Sequence, residues 1–271
     1  MKTFDLIQKR VSVRTFTNRE VSEGDRQALL NHAATLNAPW GHRARFAWVP
    51  VTSTDLEAQK FGTYGMIEGA GWFLAGAMKK GPGAVEDFGY LLEGVILKAT
   101  ELGLGTCWLG GTFQRADFTE ALTLQDDEFI PAVCPVGYAS TRRRLKEKLI
   151  AAAIHVRQRK PLKDWALVTG DPGVYGDALE AVRLGPSASN KQPWRLLLAE
   201  GKAHFYLEET PGYNADSVAR CGFPIQSLDM GIAFYHWERV LADQGLAGSW
   251  TRDDPSLPVG GKWVYVATWG R

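Results

Sequence analysis

Several things that would place a chain in a common class are scarce in this one. Its 271 residues hold three cysteines, Cys107, Cys134 and Cys221, odd in number, far apart and without a C-x-x-C. Neither a disulfide framework nor a thiolate zinc site is therefore expected. No apolar run approaches the ~20 residues needed to cross a bilayer, and the start, MKTFDLIQKR, has no signal-peptide apolar region. Charge of one sign is lacking too. The chain has 31 Lys and Arg against 30 Asp and Glu, a net +1, so nothing calls for nucleic acid or an anionic membrane. The five histidines, His32, His42, His155, His204 and His236, form no H-E-x-x-H, and no G-x-S-x-G elbow exists for a serine hydrolase. A reduced, cytoplasmic protein is the expectation.

Aromatics, by contrast, are plentiful: ten tryptophans, whose rings can form core, interface or a stacking surface for a planar ligand. The stretch that organises the rest is Leu184 to Leu198, LGPSASNKQPWRLLL. A helical DALEAVR runs up to it from Asp177 and is stopped by Gly185, suited to a left-handed cap, and Pro186. Small and amide side chains follow, then Pro193, Trp194 and a buried-strand run, Leu196-Leu197-Leu198. Read locally, it is either an ordinary helix-to-strand loop or a seat for a flat, polar-edged ligand.

In chain order, Arg10, Ser12 and Arg14 alternate along an extended segment and so point one way; two guanidinium forks and a hydroxyl suit a phosphate, though surface is the plain alternative. Ser22 to Leu36 reads as a helix, with a Ser22/Asp25 capping box and a stripe of Leu29, Leu30, Ala33 and Ala34. Phe46 to Val51 reads as a strand, Asp55 to Lys60 as a helical turn, and Gly62 to Gly83 as helix and loop. Phe88 to Leu102 reads as a helix apolar almost all round. It ends in GLGTCWLGG, which fails the dinucleotide fingerprint because Trp108 stands where glycine is needed and the loop follows a helix. Its glycines still let backbone amides approach a ligand. Phe129 to Val136 reads as one strand. Two basic clusters follow: Arg142-Arg143-Arg144 with Lys146 and Lys148, and Arg157, Arg159 and Lys160, the second either surface or part of an anion site.

The second part echoes the first. Leu92-Glu93-Gly94-Val95 resembles Asp229-Met230-Gly231-Ile232, and Gly105 to Trp108 resembles Gly248-Ser249-Trp250. Helix, turn with proline and strand occur at 25–51 and again at 177–199, and Pro135 to Tyr138 has a looser counterpart in Trp263 to Trp269. Two α+β halves, 1–165 and 166–271, packed as one unit, are expected, with a boundary near Asp164–Tyr175.

RVSVR, GLGTCWLGG, PVGYA and above all PSASNKQPW resemble the FMN-dependent nitroreductase superfamily, and the duplicated layout resembles its single-chain branch. The resemblance implies a nitroreductase-like α+β fold whose two pseudo-symmetric α/β halves mimic the usual intertwined homodimer, so that a monomer would suffice. It implies FMN at the interface. Arg10, Ser12 and Arg14 would hold phosphate and ribityl chain, with Arg157 and Arg159 as the later basic pair. Leu109, Gly110 and Gly111 would turn amides to the flavin's N5 edge and O4, and Pro186, Ser187, Ala188, Asn190 and Gln192 would wall the ring. The first half has only NAPWGHRARF where the amide turn should recur, and Gly248 to Arg252 replaces the glycine loop. One FMN per chain follows. The implied activity is ping-pong oxidoreduction, NADH or NADPH delivering hydride to N5 and a nitroaromatic, quinone or related acceptor removing it, with no catalytic side chain and no metal. A non-catalytic flavin-binding sensor or carrier, and a cofactor-free interaction protein, are the rival readings.

Overall fold

The computed structural model describes residues 1–52, 62–63, 65–141, 158–168 and 170–271. The expected turn at 55–60, the basic cluster at 142–148 and Arg157 lie outside the described residues.

Two long helices form the axis, because their sequences are apolar on nearly every face and must be covered all round. They are α3 (Ala84–Glu101) and α7 (Gln226–Ala242), each with fourteen buried residues. They cross where glycine lets backbones touch. A Cβ on Gly231 would fall on the carbonyl oxygen of Glu86 and 2.7 Å from Tyr90 N, and one on Gly89 would fall on the carbonyl of Leu228. The contact is reciprocal: Gly89 and Gly231 lie 142 positions apart, as do Glu86 and Leu228. This corrects the expected pairing of Leu92-Glu93-Gly94-Val95 with Asp229-Met230-Gly231-Ile232. The true counterpart of Asp229-Met230-Gly231 is Asp87-Phe88-Gly89, since close approach, not apolar similarity, sets the register.

A five-stranded sheet flanks each side. The first contains β1 (Ala44–Pro50), β2 (Trp72–Lys79), β3 (Gly105–Thr106), β4 (Glu128–Phe129) and β5 (Val133–Gly137), in the order β1-β2-β5-β3 with β4 also on β2. The second contains β6 (Ala166–Val168), β7 (Trp194–Ala199), β8 (Lys202–Glu208), β9 (Ser249–Thr251) and β10 (Trp263–Gly270), in the order β6-β7-β8-β10-β9. Leaving β6 aside, both run first strand, second, last, short. All pairs are antiparallel except β6 on β7. The remaining helices are α1 (Thr3–Lys9), α2 (Glu23–Thr35), α4 (Arg115–Leu122), α5 (Gly176–Leu184) and α6 (Tyr213–Cys221).

Helix α2 starts as its residues dictate, Asp25 N donating to Ser22 Oγ at 3.0 Å. Of its expected apolar stripe only Leu29 is buried; Ala34 faces solvent. Gly62 to Gly83 is not helix and loop. It contains β2, a central strand buried without a break from Phe73 to Met78, so it shows none of the alternation that marks a half-exposed strand. The expected strand at 129–136 divides into β4 and β5 around Pro131, which has no N–H to give a ladder.

Candidate active site

The turn after α5 is built from its own polar groups. Gly185 does not take the left-handed cap. Its φ is −53° and ψ 146°, the extended setting that Pro186 imposes on the residue before it, and glycine serves there to clear Val182 O, 3.0 Å from where a Cβ would sit. The left-handed residues come later: Ser189, Asn190 and Gln192, at φ 47°, 55° and 51°. Non-glycine residues in that region carry strain unless neighbours hold them. Here Gln192 N donates to Ser187 Oγ at 2.9 Å, and Gln192 Nε2 to Asn190 O at 3.2 Å. Lys160 N donates to Gln192 Oε1 at 2.8 Å, and Ser189 Oγ meets Tyr213 OH at 2.8 Å.

A cavity of about 400 Å³, within the usual ~300–1,000 Å³ of small-molecule sites, lies against this turn. Arg10, Ser12 and Arg14 line it, as do Leu109, Gly110 and Gly111, Arg159, and Pro186, Ser187, Ala188 and Asn190. The structure therefore brings together four stretches separated by up to 180 residues of chain. Gln192 does not line the cavity; it is buried behind the turn and holds its shape.

Charge is concentrated there. Arg10 and Arg14 are each only 9% exposed, and the Nε of each has no hydrogen-bond partner. Arg159 Nη1 donates to Asn190 Oδ1 at 2.9 Å, while its Nε and Nη2 reach Leu184 O at 3.3 and 3.2 Å. Burial, then the nearby charges of Arg10 and Arg183, pull the Arg159 guanidinium down to about 10. Buried cations with open donors favour an anion among them.

Beneath the cavity a carboxylate ties its parts together. Glu93, fully buried, accepts from Trp108 Nε1 at 2.8 Å and lies 2.9 Å from His236 Nε2, with Arg10 Nε at 3.9 Å. His236 Nδ1 lies 2.8 Å from Ala181 O on α5. His236 is thus a strut between α3, α5 and α7.

Asp229, Tyr213 and Arg220 also line the cavity and were not anticipated. Asp229 Oδ1 accepts from Ala188 N at 2.9 Å, fixing the turn, and its Oδ2 has no partner. Burial pushes this carboxyl well above the usual range. Its signal was present in the chain: Asp87-x-Gly89 and Asp229-x-Gly231 share the spacing of Trp108 and Trp250. Asp87 has the same role in the first half, accepting from Trp40 N and His42 N at 3.0 Å each, but there His42 Nδ1 also closes on Oδ2 at 2.8 Å. No group of three or more His, Cys, Asp or Glu is placed for a metal among the described residues. No helix among them is long and apolar enough to cross a membrane.

Residues 2–240 match the model of the family described as "Putative TM nitroreductase". The structure resembles that of a "putative nitroreductase" from Thermotoga maritima, at 19% identity and a TM-score of 0.63, over 99% of this chain and 93% of the other. A nitroreductase family protein from Clostridium difficile 630 is similar over 60% of this chain and 96% of its own, at 20% identity and a TM-score of 0.48. An FMN-dependent nitroreductase from Clostridium difficile R20291 is similar over 51% of this chain and 88% of its own, at 20% identity and a TM-score of 0.44. No curated protein matches the sequence. With a family model spanning nearly the whole chain and one fold shared end to end, the chain belongs to this nitroreductase family.

Proposed function

We propose that this protein is an FMN-dependent NAD(P)H oxidoreductase, binding one FMN per chain between its two halves, 1–165 and 166–271. The observation that carries the reading is the set of residues that share the cavity's lining. The buried Arg10 and Arg14 line it together with Ser12, two guanidinium forks and a hydroxyl whose chemistry fits a phosphate. The turn of small residues and amides and the glycine loop line it too, and their lack of bulk leaves room for a flat ring.

Bound FMN would supply the hydride chemistry, accepting a hydride from NADH or NADPH and passing it to a nitroaromatic, quinone or related acceptor. The chain's residues bind, orient and polarise. Arg10, Ser12, Arg14 and Arg159 hold the phosphate end. Pro186, Ser187, Ala188 and Asn190 wall the ring. The amides of Gly110 and Gly111 face developing negative charge at its reactive edge. A Cβ at Gly110 would come within 2.9 Å of Ile225 Cδ1, which would have to shift aside. Because donor and acceptor would use one open face in turn, the kinetics are ping-pong.

A single site per chain is supported by what stands at the counterpart position. Trp40 gives its amide to Asp87 as Ala188 does to Asp229, and Arg252 lies 142 positions after Gly110. The Arg252 guanidinium sits 4.0 Å over the Trp40 ring. Two bulky side chains occupy the place of an alanine and a glycine.

The test is the visible spectrum of the purified protein before and after anaerobic NADPH. A yellow protein that bleaches, then recovers on adding a quinone, is expected. A flavin that stays oxidised under excess NADH and NADPH would make it a non-catalytic flavin-binding protein. A colourless protein that takes up no added FMN would overturn both.

A further inference from the structure

The amides at the glycine loop are aimed by what holds their carbonyls. In a trans peptide the C=O and the following N–H point in opposite directions, and no peptide here is cis. Leu109 O accepts from Val133 N at 3.0 Å, so the Gly110 N–H is turned away from β5. The next peptide has no strand partner. Its carbonyl, Gly110 O, accepts instead from Arg115 Nη2. The Gly111 N–H therefore points away from the Arg115 guanidinium, and Gly110 and Gly111 line the cavity whereas Arg115 does not. Neither glycine amide meets an acceptor among the described residues.

Arg115 reaches this loop from the start of a neighbouring helix. It is the first residue of α4, where a cation opposes the helix dipole. Its fork spans two segments: Nη2 also donates to Pro131 O at 3.2 Å, and Nε to Ile130 O at 3.4 Å. The guanidinium lies 4.4 Å from the centre of the Phe113 ring and 5.6 Å from that of Phe223. A lysine, with one point charge and no planar fork, cannot make this set of bonds. A cation on a peptide oxygen also polarises that peptide and strengthens its N–H as a donor.

We propose that Arg115 is a positioning residue that aims the Gly111 N–H at the reactive edge of the bound flavin and strengthens it, favouring the reduced, more electron-rich ring over the oxidised one. The inference rests on the FMN reading above and adds a cause for the redox poise of the site. It is read from the midpoint potential of the bound flavin, by dye-coupled anaerobic reduction, in wild type, Arg115→Met and Arg115→Lys. Loss of a donor aimed at developing charge costs enzymes about 10²–10³-fold in rate; here the donor stays but loses its aim, and a smaller change follows. Arg115→Met is expected to reduce the preference for reduced over oxidised FMN about tenfold, a potential lower by ~30 mV for two electrons. Arg115→Lys, keeping a charge and one donor, is expected to fall about threefold in the same direction. A purely structural role would weaken both redox forms alike and leave the potential unmoved. Arg115→Met at the wild-type potential would overturn the proposal while leaving the FMN reading intact. If that variant does not fold, Arg115→Lys decides by the same criterion. A wild type that takes up no FMN would overturn the FMN reading and this inference with it.

Discussion

Asp87 and Asp229 show how one residue in one structural role diverges through its surroundings. Each is buried and pins the turn that precedes the strand on its own side. His42 closes the second oxygen of Asp87, whereas the second oxygen of Asp229 belongs to the cavity wall. Burial raises both carboxyls. Because folded Asp229 keeps its proton to higher pH than an unfolded aspartic acid, at about 3.9, the stability of the neutral form is complete below that value. It is lost as pH rises towards the folded-state value. Asp229→Asn keeps an acceptor for Ala188 N and escapes that loss. Its melting temperature should exceed that of wild type by a margin that grows as pH rises above about 4, the two converging in acid; a margin that stays constant with pH would contradict the assignment. Most of the cavity's residues were legible one by one, because Arg, Ser, Asn and Gly declare their chemistry. Asp229 was not, since a lone aspartate in an apolar helix says nothing until Ala188 is placed beside it. Gln192 was legible as part of the turn, but its place behind it was not, because its side-chain amide is spent on Lys160, Gln158 and Asn190.

Among elements, the crossing of α3 and α7 decides the register of everything else. A Cβ at Gly231 or Gly89 would meet backbone, which cannot rotate aside as a side chain can. Gly231→Ala and Gly89→Ala should each destabilise by about 1–3 kcal/mol or more, the usual range for overpacking. The double variant should cost less than the sum, since one separation of the helices relieves both clashes. Chemical denaturation of the three variants measures this; additive losses would mean that the two contacts are independent. The start of α2 is a smaller, local matter, and Ser22→Ala should cost about 1 kcal/mol by the same measurement. Helix α3 was readable from its length and apolar content. Strand β2 was not, because a strand covered on both faces has no period of two, and only its pairing with β1 and β5 identifies it.

For the whole molecule, the two sheets repeat one strand order around the helix pair, yet the two ends of the interface differ in bulk. Arg252 lies over the ring of Trp40, whose amide meets Asp87 as that of the small Ala188 meets Asp229. Titration with FMN should therefore saturate at one equivalent per chain, followed by flavin fluorescence; two equivalents would show that Trp40 and Arg252 can move aside. Composition and periodicity alone determined part of this protein: one long buried helix, and a set of cationic, glycine-rich and amide-rich segments. These are properties of single residues and their neighbours, and a sequence displays them directly. Only the tertiary structure decided which segments share a cavity, that Arg115 and Asp229 face the loop and turn they serve, and which end of the interface stays open. Those outcomes depend on contacts between residues far apart in the chain, and on whether a side chain's hydrogen bonds are spent inside the protein or left for a ligand.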